Sequence, residues 1–254
     1  MSRTPADPHR RPADPQSPPA DRQRPHAELS ARLHVPKLGR PPQVGRRSIV
    51  EAAVAVGFEE LSMSAVARHL GVKHSTLYRY FPQKEALLAA AADHVVASME
   101  WPPPYASWRP YLRALVRTTF RMFDEHPGLA LHVAALRGGL VEYARQGARA
   151  TAVLVELGMD PESAVLAQDL VNEQVLLYFL AGQQEGRPAT GAEETAQLRR
   201  RMLEDVRGEA PGPVADAFER VIGGRPEDWL NRKIEVILDG IAGSFPLTGN
   251  RPQV

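Results

Sequence analysis

From Leu70 to Lys84 the chain reads "LGVKHSTLYRYFPQK", a stretch with no carboxylate. Coiled as a helix, its central part turns Leu77 to one side and His74, Ser75, Tyr78 and Arg79 to the other. That outer face offers hydrogen-bonding groups and a cation, and nothing anionic. Such a face suits the major groove of double-stranded DNA, where base edges present donors and acceptors between phosphate walls. Tyr78, Tyr80 and Lys84 stand where they can reach backbone phosphates. The chemistry is recognition, with no bond made or broken. An alternative for Tyr80, and also for Tyr78, is a small core around Phe81; for Arg79 it is plain solvation.

The elements that must hold this face are legible upstream. Ile49, Ala52, Ala53 and Val56 recur at helical spacing, and Gly57 stands where a C-terminal cap belongs. Ser62 is a good N-cap for a second helix carrying Met63, Val66, Ala67 and Leu70. Gly71 tolerates the left-handed turn that ends it. A third helix then runs from about His74 to Tyr80, and Pro82 breaks the chain. Helix, glycine turn and helix within such a distance make a helix-turn-helix, with Ala67 small enough for a close crossing. A fourth helix is expected from about Gln83 to Glu100, with Leu87, Leu88, Ala91 and Val95 facing inward.

Beyond the stiff joint "WPPPYAS" the pattern stays helical. Helices are expected from Ser107 to His126, at about 128–136 and 140–157, and at about 161–184 after the Asp160-Pro161 cap. A loose Gly-, Glu- and Arg-rich stretch is expected next, then helices near Val214–Ile222 and at about 226–242. Period-two alternation persists nowhere, so the fold class is all-α: an N-terminal three-helix helix-turn-helix domain and a C-terminal helical domain for ligand binding and dimerisation.

The run "IVEAAVAVGFEELSMSAVARHLGVKHSTLYRYFPQKEALL" resembles the DNA-binding domain of the TetR family of bacterial repressors. "SWRPYLRALVRTTFRMFDEHPGLALHVAA" and "WLNRKIEVILDGIAG" resemble, more loosely, the ligand-binding domain of the tetracycline-repressor branch. The resemblance implies a homodimeric regulator that binds a palindromic operator and is released by a small-molecule effector. It places DNA contacts on His74, Ser75, Thr76, Tyr78, Tyr80 and Lys84, and near Ser62 and Ser64 at the start of the second helix. It also sets His132 near a histidine that contacts metal in the tetracycline-binding members. Those members carry another histidine at the end of the fourth helix, where this chain has Glu100 or Trp101. No metal and no cofactor is expected here.

Composition bounds the rest. The chain has 254 residues, 43% hydrophobic and 24% charged, and no cysteine, which excludes disulfides and thiolate metal sites. No apolar run approaches a membrane span and no secretory signal is apparent, so a cytoplasmic protein without a membrane partner is expected. The net charge of +1 hides an asymmetry: residues 1–90 carry a surplus of six cations and the remainder a deficit of five. The basic front is the part suited to a polyanion. Residues 1–42 hold ten of the 23 prolines and form a basic tail expected to be disordered. Its end, "KLGRPPQVGRR", has a Gly-Arg-Pro core resembling minor-groove arms, which nominates Arg40 as a further DNA contact; a plain basic linker is the alternative. The expected domains are 43–100 for DNA binding and 105–245 for effector binding and dimerisation.

For the effector, polar groups interrupt otherwise apolar C-terminal helices: Thr118, Thr119, His132, Asn172, Glu173 and Gln174. Buried polar groups need partners, and a ligand can supply them. The last four are the nominated effector contacts, with mutual pairing or a place on the dimer seam as the alternative. Other function classes find less support. No HExxH pair, phosphate loop or nucleophile elbow appears, so an enzyme is not expected. An architectural DNA-binding protein without an effector is the remaining rival.

Overall fold

The structure is a computed structural model, and it describes residues 44–135, 140–185 and 192–244. The tail of residues 1–42, with Arg40, lies outside the described residues. Val44–Val254 forms one compact unit. The described residues fold as helices without a strand, as the spacing of their apolar residues dictates.

The first helix, α1 (Arg46–Val56), begins where the Ser48 hydroxyl accepts a hydrogen bond from the Gly45 amide and donates one to the Gly45 carbonyl. Helix α2 (Met63–His69) is capped by the Ser62 hydroxyl, which accepts from the Ala65 amide at 3.1 Å. Gly71 turns the chain with φ at +65°, and α3 (His74–Tyr78) follows. Helix α3 is two residues shorter than the spacing suggests, yet the Tyr80 and Phe81 amides still bond back to the Leu77 carbonyl. Leu77 and Phe81 are fully buried, and Ala67 of α2 is buried as well. Burying side chains of this size contributes about 1.5–3 kcal/mol each, which holds so short a helix in place.

Helix α4 (Lys84–Ser98) packs along α1 with one face and against the C-terminal helices with the other. Leu87, Ala91 and Val95 are buried between them. Then come α5 (Trp108–Glu125), α6 (Leu129–Ala135), α7 (Val141–Glu156) and α8 (Pro161–Glu185). Asp160 caps α8 by accepting from the Ser163 amide at 3.1 Å. Phe120 and Phe123 of α5 meet Tyr178 and Phe179 of α8 with ring centres 4.9–5.5 Å apart.

One expectation needs correction. The stretch after α8 read as loose contains α9 (Ala192–Glu209), an arm paired with α10 (Gly212–Gly223) through Arg207 and Glu219. Its dense charges mask a helical repeat of Leu198, Met202 and Val206, which is why composition pointed the other way. In α11 (Pro226–Ser244), Leu238 and Ile241 are buried against the protomer's own core, so neither belongs to a face left free for a partner. Ser107 occupies the N-cap of α5, but its side chain makes no capping bond.

Candidate nucleic-acid interface and effector cavity

On α3 and its C-cap, His74, Ser75, Tyr78 and Arg79 are exposed together, as is Lys84, the first residue of α4. Thr76 is half-buried. The Tyr78 side chain keeps 44% of its surface open and its ring stands edge-on to His74, centres 4.9 Å apart. Each ring thereby limits the other's rotamers, which lowers the entropy to be lost on binding. Ser64 is exposed at the start of α2; Ser62 is half-buried and accepts the cap bond, which leaves its own O–H free to donate.

Tyr80 departs from expectation. Its hydroxyl donates to the Val44 carbonyl at 2.8 Å, so the one proton it could offer to a phosphate is engaged. The same corner is closed by Arg46, which donates to the Tyr80 carbonyl at 3.0 Å and lies 4.3 Å from the Phe81 ring centre. Arg46 and Tyr80 therefore fasten the chain entering α1 to the end of the recognition helix. Sequence reasoning passed over Arg46 because a basic residue before a helix reads as solvated.

Further along, a small cavity of about 20 Å³, room for about one water, opens among α5, α7 and α8, within a wider hollow that is continuous with solvent. Leu115 and Thr119 line it from α5, and Tyr143, Gln146 and Ala150 from α7. Gln168 and Asn172 line it from α8, and Trp101 from the joint after α4. The Thr119 hydroxyl donates to the Asn172 side-chain oxygen at 3.2 Å. Burial pushes the Tyr143 phenol above its ordinary pKa, helped by the nearby Asp169 charge, so it stays neutral.

Of the nominated effector contacts, Asn172 lines this cavity. Glu173, on the next position of α8, is exposed, and Gln174 is half-buried away from the lining. His132 is elsewhere: its Nε2 stands 3.2 Å from the Phe58 carbonyl oxygen at the corner between α1 and α2. Consecutive helical positions diverge by about 100°, so only one of Asn172, Glu173 and Gln174 can face the opening. Among the described residues no three His, Asp or Glu side chains gather as a metal site.

Three hydrogen bonds tie the cavity walls to α4. The Asp93 carboxylate accepts from the Val141 and Glu142 amides at 3.1 and 2.9 Å, capping α7 from another helix. The Trp101 indole donates to the Val96 carbonyl at 2.9 Å. A second bridge runs outside the cavity. Gly128, at φ +86°, lies so close to the α1–α2 corner that a Cβ there would fall 2.8 Å from the Glu59 amide nitrogen. His126 and His132 flank Phe58 at that corner with ring centres 6.3 and 6.1 Å away.

Residues 48–91 match the sequence profile of bacterial regulatory proteins, tetR family. The HTH-type transcriptional repressor DrrR1 of Streptomyces coeruleorubidus is 31% identical over 221 residues, which cover 81% of this chain and 80% of that protein. The chain belongs to the TetR family. It is a helix-turn-helix transcriptional regulator that binds DNA. The fold agrees with apo ActR from Streptomyces coelicolor, at TM-score 0.65 and 20% identity over 82% of this chain and 100% of that one. ActR in complex with actinorhodin superposes with a TM-score of 0.64 and the same identity and coverage. Among the described residues no helix of this regulator is long and apolar enough to cross a membrane.

Proposed function

We propose that this regulator is a ligand-responsive repressor that binds a palindromic operator as a homodimer and is released by a small molecule. The observation that carries the reading is the set of three hydrogen bonds, two accepted by Asp93 and one donated by Trp101, which join the cavity walls to α4. Helix α4 in turn packs against α1 of the DNA-reading domain. A molecule that spreads α7 from Trp101 therefore acts on the helix that sets the attitude of α3. It shifts DNA binding only to the extent that it favours one attitude over the other. ActR, a fold relative, is known in complex with actinorhodin, and DrrR1 is a repressor; both agree with this assignment.

In this reading His74, Ser75 and Thr76 face base edges. Tyr78, Arg79, Lys84, Ser62 and Ser64 meet phosphates, and Tyr80 acts through the Val44 contact. The domains divide as 43–100 for DNA and 105–245 for effector and dimer. The test is fluorescence anisotropy of the chain's own upstream DNA with the purified protein, in the presence and absence of lipophilic metabolite fractions. Release by a fraction that also raises the protein's Tm is expected. Fractions that raise Tm and never alter DNA affinity would refute the coupling.

A further inference from the structure

We propose that Arg46 is a further DNA contact, and that its guanidinium takes a backbone phosphate beside the end of the recognition helix. The proposal rests on α3 being the DNA-reading helix. Arg46 opens α1 and is exposed. One of its N–H groups donates to the Tyr80 carbonyl at 3.0 Å, and the guanidinium carbon lies 4.3 Å from the Phe81 ring centre. Both partners are uncharged. Among the described residues no carboxylate pairs with Arg46. Glu51 is the acidic residue nearest to it in sequence, and Arg47 holds that carboxylate at 2.8 Å. Of two adjacent arginines, one is neutralised along its own helix and the other keeps its full charge.

Three features of this charge match a phosphate. It has donors to spare, since a guanidinium carries several N–H groups and the Tyr80 carbonyl engages one. It is held still: the carbonyl and the Phe81 face fix a long side chain that otherwise loses rotamer freedom on binding. A cation that only keeps a surface soluble needs no such seat. It also stands in a field of one sign. Its two anchors, Tyr80 and Phe81, follow the exposed Arg79 and precede the exposed Lys84, and no carboxylate lies between Leu70 and Lys84. A planar fork of donors grips two oxygens of one phosphate, a geometry that lysine cannot offer. A base edge is the wrong partner. Arg46 comes from α1, and its anchor is a carbonyl past the last turn of α3, at the flank of the reading face formed by His74 and Ser75. Groups at the flank of a helix in the major groove meet the phosphate wall. The contact therefore positions α3 without reading sequence, and Tyr80 enters it as the residue whose carbonyl seats the fork.

The test uses the full chain, its upstream DNA and the single substitutions Arg46→Gln and Arg46→Lys, with Lys84→Ala and Ser75→Ala alongside. Glutamine can still donate to the Tyr80 carbonyl but carries no charge; lysine keeps the charge and loses the fork. Binding is followed by fluorescence anisotropy from about 50 to about 200 mM salt. Arg46→Gln should bind about tenfold more weakly at the lowest salt, with the slope of log K against log salt lowered by about one per protomer. Arg46→Lys should keep the slope and lose about threefold in affinity. Preference for this DNA over an unrelated duplex should not change in either variant. Single methylphosphonates, which carry no charge, are then placed in turn along the DNA. At the position Arg46 grips, the neutral linkage should weaken the wild type and leave Arg46→Gln unaffected. The proposal is overturned if the Arg46→Gln slope equals that of wild type, or if no methylphosphonate separates the two proteins. It is overturned equally if both Arg46 variants lose their helical circular dichroism, which would make Arg46 a residue of the fold alone. Lys84→Ala and Ser75→Ala tell which reading has failed. Should they change binding while Arg46→Gln does not, only this contact is withdrawn; should all be silent, the placement of α3 on DNA goes with it.

Discussion

At the scale of single residues, the recognition face divides by what each side chain can still offer. Lys84 is exposed, so Lys84→Ala should weaken operator binding and lower the salt slope by about one, without altering base preference. Equilibrium binding across a salt series checks this, and an unchanged slope excludes a phosphate contact. His74→Ala and Ser75→Ala should instead change which operator variants bind best. Tyr80→Phe removes a bond to the Val44 carbonyl and should lower stability more than it lowers phosphate affinity. The outer face was legible in the sequence because it follows from residue type and helical period alone. The engagement of Tyr80 was not, since its partner lies 36 positions away. His132 misled for a similar reason: a polar residue on an apolar helix can be served by a backbone carbonyl distant in sequence, here that of Phe58. Gly128 carries a further residue-scale prediction. Gly128→Ala meets both a positive φ and a 2.8 Å contact with backbone, so it should cost more than about 1 kcal/mol. A thermal melt should show Tm lower by about 2–4 °C or more.

At the scale of elements, helices depend on partners the local sequence does not contain. Helix α7 has no capping side chain of its own at Leu140, and Asp93 of α4 supplies the cap. Asp93→Ala should cost about 1 kcal/mol and Asp93→Asn far less, because asparagine also caps well. Amide exchange at Val141 and Glu142 should quicken in the alanine variant while α8 stays protected; equal quickening everywhere would mean global destabilisation instead. Asp93 resembled any solvated acid on an amphipathic helix, which is why the cap could not be read beforehand. Helices α5 and α11 are joined differently, by Arg109 and Arg113 on Glu235, with Arg109 also on Asp239. Hydrogen bonds from Arg113, and then Arg109, hold the Glu235 carboxyl at about 2, below its ordinary range. Because the folded value is depressed, the contribution is complete above about pH 4.5 and is lost as pH falls towards 2. The pair is solvent-screened, so its worth is below about 1 kcal/mol. The Tm difference between wild type and Glu235→Gln should shrink over that window, and a difference independent of pH would disconnect Glu235 from the arginines.

At the scale of the whole molecule, two equivalent recognition helices must stand about 34–36 Å apart to read a palindrome one helical turn long, so assembly is part of recognition. The burial of Leu238 and Ile241 shows which α11 positions cannot form a seam between two copies. Replacing either by arginine would place a charge in the core and unfold the protomer, which tests nothing about assembly. The exposed stripe is elsewhere. Leu166 and Leu177 on α8 are 45% and 50% open, and Trp229 and Val236 on α11 are 40% and 64% open. Leu166 and Leu177 are eleven positions apart, and Trp229 and Val236 seven, so each pair lies along one face of its helix. Near Val236, Gly240 has open space where a Cβ would be, so a second helix can approach closely there. An isologous four-helix seam between two copies would use this stripe twice. Leu177→Arg with Val236→Arg leaves the protomer core untouched and sets like charges across the twofold axis. The double variant should keep its helical circular dichroism, sediment as a monomer, and bind the operator at least a hundredfold more weakly, since the second half-site is no longer reached at high effective concentration. A dimer that survives both substitutions would move the seam to the α9–α10 arm, where Leu198, Met202 and Phe218 are also exposed. The same substitutions at Met202 and Phe218 would then be the ones that separate the protomers.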